Sequence, residues 1–154
     1  MLITLDIETN TSHDKIWVVV TQDVDTGEVL EHYSGTTLAP LVSKATGVIG
    51  HNLIGFDAPV LYNVWNLTIP TGKQRDTLAM SRLWNPSLEG GHSLDSWGQR
   101  FGDPKIDFHD YDGGLSDEMV EYCRQDVALT TKLFKHLTDT LKREEFSQQC
   151  VDLE

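Results

Sequence analysis

A chain of 154 residues is long enough to bury a core without disulfides or a structural metal, and short enough to form one domain. Its 24 acidic side chains against 12 basic ones, a net charge of −12, argue against tight nonspecific binding to a polyanion. Cys123 and Cys150 show no CxxC or Cys/His spacing, so neither a zinc site nor a disulfide framework is indicated. There is no apolar run of about 18 residues to span a membrane, and no basic segment followed by a long apolar stretch at the N-terminus. A cytoplasmic protein is expected.

The first segment, LITLDIE (2–8), reads as a strand. Alternation puts Ile3, Leu5 and Ile7 on one face and Leu2, Thr4, Asp6 and Glu8 on the other, so the two carboxylates sit side by side. Burying such a pair costs several kcal/mol unless something positive compensates. Either the strand frays at Asp6 and both acids are hydrated, or a cation belongs there. KIWVVVTQD (15–23) and EVLEHYS (28–34) read as further strands, joined through a turn at Asp25, Thr26 and Gly27. GVIGHN (47–52) reads as a short buried strand and FDAPVLYNVW (56–65) as a helix, with Pro59 in an early turn.

RDTLAMSRLW (75–84) reads as a helix stopped by Asn85 and Pro86, and HSLDSWGQRF (92–101) as a short helix capped by Ser93 and ended by Gly102. Residues 103–114 lack periodicity and read as loop. From Ser116 to about Arg143 the apolar spacing of Met119, Cys123, Val127, Thr130, Phe134, Leu137 and Leu141 predicts one long helix. A strand meander followed by mixed strands and helices indicates an α/β layer architecture with a mixed central β-sheet flanked by α-helices.

Two further acids join the first pair. Asp57 follows a short strand and a turn containing Gly55, at a helix start, where capping is the alternative reading. Tyr122 and Asp126 are spaced i, i+4 and share a face of the long helix close to its buried stripe. A salt bridge or an exposed face is the alternative there. Four carboxylates, Asp6, Glu8, Asp57 and Asp126, are better explained as one site than as separate accidents. Oxygen-only ligands suit hard cations, and four charges suit a pair of Mg²⁺ or Mn²⁺ ions serving in-line displacement at phosphorus.

The order D-x-E, then HNLIGFD, then Y-x-x-x-D resembles the three motifs of the DEDD superfamily of 3′–5′ exonucleases, in its tyrosine-bearing branch. The histidine-bearing branch would need His five residues before Asp126, where Glu121 stands. More narrowly, the chain resembles the N-terminal proofreading domain of family A DNA polymerases of the phage replicative type, and RDTLAMSRLW and HSLDSWGQRFG extend that likeness over nearly the whole length. The resemblance implies a ribonuclease H-like fold over 1–143, with the tail 144–154 similar to the connector into a polymerase domain. It implies that Asp6 bridges two divalent ions, that Glu8 and Asp126 hold the nucleophile-side ion, that Asp57 supports the other, and that Tyr122 orients the attacking water. It further implies that Asn52, Thr9 and Phe56 contact the terminal nucleotide, Phe56 by stacking. His51 and the tryptophans, Trp17, Trp65, Trp84 and Trp97, read as packing residues.

Between Asp103 and Asp126 there are eight acids against Lys105 and Arg124. This acidic stretch would repel duplex phosphates, so the isolated chain should grip DNA weakly and prefer single-stranded or frayed 3′ ends, with a polymerase domain or subunit as the natural partner. The expected activity is release of nucleoside 5′-monophosphates from DNA 3′ ends during replication, in a bacterial or phage-infected cytoplasm. The alternatives are an exonuclease acting on RNA or on both nucleic acids, and a catalytically silent module used for binding.

Overall fold

The computed structural model describes residues 1–152, with side chains through Glu144. A five-stranded mixed sheet is built from β1 (Leu2–Thr9), β2 (Ile16–Asp23), β3 (Val29–His32), β4 (Gly47–Gly50) and β5 (Gln74–Asp76), in the order β3-β2-β1-β4-β5. The first three strands form the expected antiparallel meander, turned at Gly27 with φ +79°, while β4 and β5 run parallel to β1. Each parallel step needs a crossover. The first is α1 (Gly35–Lys44); the second is a π-helical turn (Leu53–Asp57) continued by α2 (Ala58–Trp65).

The alternation in β1 decides which layer goes where. Ile3, Leu5 and Ile7 pack with Val19 and Val48 against Leu38 and Val42 of α1 and Val60 and Leu61 of α2. The opposite face is covered by α5 (Asp117–Asp152): Cys123 and Val127 pack on Val18 and Val20, and the Thr131 hydroxyl donates to Thr4 Oγ1 at 2.8 Å. A second apolar cluster joins α5, through Leu129, Leu133 and Leu137, to α4 (Leu94–Phe101), with Met80 and Trp84 of α3 (Thr77–Trp84) packed alongside.

Several boundaries depart from the sequence reading. No element was predicted over residues 35–46, yet α1 forms there despite the internal Pro40, because Leu38 and Val42, four apart, are both driven into the core. The predicted helix 75–84 begins as strand β5, and Asp76 ends that strand by capping α3, accepting from the Leu78 N–H at 2.9 Å. The predicted strand 47–52 stops at Gly50, and the π-helical turn precedes α2. Helix α5 continues through Asp152 rather than ending near Arg143, since the stretch that follows contains Glu and Gln, which are good helix formers, and neither Gly nor Pro. The expected connector 144–154 falls partly on this continuation and partly, at 153–154, outside the described residues, as does the side chain of Cys150. Ser93 and Gly102 cap α4 as predicted, Ser93 Oγ accepting from the Ser96 N–H at 3.0 Å and Gly102 at φ +76°.

Candidate active site

The strand does not fray at Asp6. Both acids remain in register with β2, Asp6 opposite Val20 and Glu8 opposite Val18, and the pairing shifts only between Glu8 and Thr9. Asp6 keeps some exposure while Glu8 is buried, and their oxygens lie within 4.8 Å of each other and of the Cys123 sulfur. The Cys123 thiol donates to the Asp6 carbonyl at 3.4 Å and to its Oδ2 at 3.5 Å, which fixes the carboxyl group from below.

Asp57 arrives on the π-helical turn that follows β4. The π-helical turn is held by Asp76, whose carboxylate accepts from the Asn52 N–H at 2.9 Å and the Ile54 N–H at 3.1 Å. That turn delivers Asp57 to the first position before α2, but with helical φ and ψ of −61° and −47° and no capping bond from its side chain. The capping alternative is therefore not realised. Asp57 is only 2% exposed, and its Oδ2 has no hydrogen-bond partner among the described residues. Asp126, on α5, is also buried; Lys105 Nζ stands 3.4 Å from its Oδ2, while its Oδ1 has no partner among the described residues.

The electrostatics show that this cluster lacks positive charge. Burial raises the pKa of every one of the four carboxyls. In Glu8 the charges of Asp6 and Asp126 add to the effect, in Asp57 those of Asp6 and Asp76, and in Asp126 that of Asp6. Lys105 opposes the rise in Asp6, Glu8 and Asp126. One ammonium cannot neutralise four carboxylates. The Asp6 charge raises Asp57, Glu8 and Asp126 alike, so acids from β1, the π-helical turn and α5 lie close enough to feel one another.

A cleft of about 410 Å³ opens over it, lined by Asp6, Glu8, Thr9, Asn10, Thr11, His13, Phe56, Tyr111, Tyr122 and Asp126. Tyr122 stands one helical turn before Asp126, with Lys105 Nζ 4.9 Å from its ring centre and Phe108 at 5.6 Å, its hydroxyl beside that of Tyr111. Burial and the Asp126 charge raise its pKa strongly, so the phenol stays protonated at neutral pH and can orient a group but not abstract a proton. Thr9 and Phe56 line the cleft. Asn52 does not: its backbone takes the left-handed conformation, φ 61°, and its exposed side chain lies against Gly55, where an added Cβ would meet Asn52 Oδ1 at 2.5 Å. His51 is half-buried with Nδ1 2.8 Å from Thr77 Oγ1, and burial lowers its pKa to about 4. Of the tryptophans, Trp97 is buried against α5, while Trp17 Nε1 donates to the Tyr111 carbonyl at 2.8 Å and so pins the loop that bears Tyr111.

Sequence reasoning missed Lys105, Tyr111, Asp76 and Cys123 as participants. Lys105 and Tyr111 lie in the aperiodic loop, where no pattern marks them. Asp76 was hidden by reading 75–84 as continuous helix, and Cys123 was assigned to the core stripe, which it also serves.

Comparison with known proteins agrees with this geometry. The model of a 3′–5′ exonuclease family matches residues 3–142. No curated protein matches the chain in sequence. Among solved structures, NrnC of Brucella melitensis is similar with TM-score 0.73 at 24% identity, over 96% of this chain and 77% of that one. Phi29 DNA polymerase, complexed with primer-template DNA, is similar with TM-score 0.63 at 12% identity, over 90% of this chain and 31% of that one. Exonuclease X in complex with 5′ overhanging duplex DNA gives TM-score 0.54 at 16% identity, over 88% and 92%. These likenesses carry the fold, a mixed sheet of the ribonuclease H-like exonuclease type, while the family match spans almost all of the sheet, the crossovers and the acid-bearing part of α5. The chain belongs to the 3′–5′ exonuclease family, of the DEDD type.

Proposed function

We propose that this chain removes nucleotides from DNA 3′ ends, releasing nucleoside 5′-monophosphates, with Asp6, Glu8, Asp57 and Asp126 as ligands for two divalent cations and Tyr122 as the residue that orients the attacking water. One observation carries the reading: carboxyls from three separate elements are buried around one centre, two of them with unpartnered oxygens. Such a set is costly in the folded protein by itself and is made favourable by cations. The donors are oxygens of a hard type, which fits Mg²⁺ or Mn²⁺. Bound there, a divalent pair supplies activation of water and stabilisation of the leaving oxygen.

The chain's own residues do the rest. Asp6, in the middle of the cluster, is held by the Cys123 thiol and is suited to sharing both cations. Tyr122, kept protonated, presents its hydroxyl to the water and leaves proton removal to other groups. Phe56 offers a ring, itself edge-packed on His13 at 4.9 Å, for stacking by the terminal base. Thr9 Oγ1 donates to the Asn10 carbonyl at 2.9 Å, so its hydroxyl serves the substrate as an acceptor.

Substrate choice is DNA in this reading, with proofreading during replication as its use and a polymerase domain or subunit as its source of grip. The phi29 polymerase and exonuclease X structures, each holding DNA, support this choice. A second reading, trimming of short RNA, is favoured by a different neighbour: NrnC of Brucella melitensis is also seen bound to pGG, at TM-score 0.70. The test is a gel assay on end-labelled single-stranded DNA and RNA, with Mg²⁺, with Mn²⁺ and with chelator, alongside Asp6→Ala. Metal-dependent laddering from the 3′ end of DNA, lost in the variant, is the expected result. Faster cleavage of RNA would transfer the substrate to the second reading, and no cleavage with any metal would mark a silent binding module.

A further inference from the structure

Cys123 is unusual company for a hard-cation site. Its sulfur is fully buried, lies 3.5 Å from Asp6 Oδ2, and sits within 4.8 Å of both the Asp6 and the Glu8 carboxylate oxygens. Asp126 follows three residues later on the same face of α5, and its buried Oδ1 has no partner among the described residues. A tetrahedral zinc ion, with Zn–S near 2.3 Å and Zn–O near 2.0 Å, spaces neighbouring sulfur and oxygen ligands about 3.5 Å apart. The separation between Cys123 Sγ and Asp6 Oδ2 already has that value.

We propose that Asp6, Glu8 and Cys123 form a second mode of metal binding, selective for a thiophilic cation such as Zn²⁺ or Cd²⁺, with Asp126, which lines the same cleft but lies outside that three-residue cluster, moving in as a fourth ligand. Mg²⁺ and Mn²⁺ gain little from sulfur, whereas Zn²⁺ and Cd²⁺ gain much, so the thiol separates the two classes of ion at one place. On binding, the sulfur–hydrogen bond gives way to a sulfur–metal bond; the electron pair stays on sulfur and the proton leaves through the cleft to water. No oxidation is involved. The captured ion is drawn toward α5 and takes two carboxylates that the hard cations need. Resting on the exonuclease reading, this makes Zn²⁺ an inhibitor that excess Mg²⁺ does not readily displace.

The test is titration of the full chain with Cd²⁺, followed by the ultraviolet sulfur-to-cadmium charge-transfer band, in a Cys150→Ser background that removes the other thiol. Mn²⁺ binding is measured in parallel by electron paramagnetic resonance. One saturable band is expected, lost in Cys123→Ala and in Asp6→Asn, with Cd²⁺ affinity falling about 100-fold in Cys123→Ala and Mn²⁺ affinity falling at least about tenfold less than that, since the thiol only orients Asp6 for the hard cation. Thermal melts check that both variants fold, and Cys123→Ser serves as a second probe if alanine does not. Absence of the band in the Cys150→Ser chain, or its persistence in a folded Cys123→Ala chain, overturns the proposal. Mn²⁺ binding and Mg²⁺-dependent cleavage that survive that outcome leave the exonuclease reading standing, and their own failure would remove that reading independently.

Discussion

Tyr122 and Lys105 lie on the same side of the cleft and are tied to Asp126 in opposite ways. Burial, and then the Asp126 charge, keeps the Tyr122 phenol protonated, while the Lys105 ammonium 3.4 Å from Asp126 favours the ionised form of that carboxyl. If the phenol only orients water, Tyr122→Phe lowers kcat about 10-fold to 100-fold and leaves Mn²⁺ binding unchanged. Single-turnover cleavage and Mn²⁺ titration measure the two quantities, and wild-type turnover in the variant would remove Tyr122 from the reaction. Lys105 competes with divalent cations for the same carboxylates. Lys105→Ala is therefore expected to tighten Mn²⁺ binding about threefold to tenfold, whatever it does to turnover. Unchanged affinity would mean that the ammonium is already clear of the ion's position. Neither role of Lys105 is legible in the sequence, because its approach to Asp126 depends on how an aperiodic loop folds back over α5.

At the scale of elements, the site depends on two backbone solutions, one readable and one not. The β1 alternation is readable: a period of two sends Ile3, Leu5 and Ile7 into the core and leaves Asp6 and Glu8 paired on the α5 face. The i, i+4 relation of Tyr122 and Asp126 is readable for the same reason. The turn that delivers Asp57 is not, because it rests on a long-range bond from Asp76, a residue whose strand is only three residues long. Asp76 gathers the N–H groups of Asn52, Ile54 and Leu78, and so joins the π-helical turn to the start of α3. Asp76→Ala leaves those donors without their acceptor and is expected to cost about 2–4 kcal/mol, read by urea denaturation. Because Asp57 follows that turn directly, the same variant should weaken Mn²⁺ binding at least as strongly as it weakens the fold. Destabilisation with unchanged metal affinity would mean that Asp57 is positioned by α2 rather than by the turn. The missed α1 has a similar origin, since its two buried anchors, Leu38 and Val42, are too few to outweigh Pro40 in a sequence pattern.

For the molecule as a whole, the four carboxyls set a balance between folding, protons and metal. Asp6, Glu8, Asp57 and Asp126 all have folded pKa values raised above the ordinary carboxylate range, chiefly by burial. Below about pH 4 these groups are protonated in both folded and unfolded chains, and they impose no penalty. As pH rises past that point the unfolded chain gives up protons that the folded one retains, so folding is progressively disfavoured until each raised value is passed, for Asp6 about 6 and for Asp126 about 8. Other ion pairs act in the opposite sense; Arg124 holds the Glu31 carboxyl below its usual range, for example. The raw dependence of Tm on pH therefore mixes both contributions. The difference between metal-free and Mn²⁺-loaded protein isolates the cluster, because the cations replace its protons and leave the distant pairs alone. That difference in Tm should widen as pH is raised from about 5 to about 8, and it should shrink in Asp57→Asn, which stabilises the metal-free chain by removing one buried acid. A gap that stays constant with pH in differential scanning calorimetry would mean that the four carboxyls do not act as a single metal-linked unit.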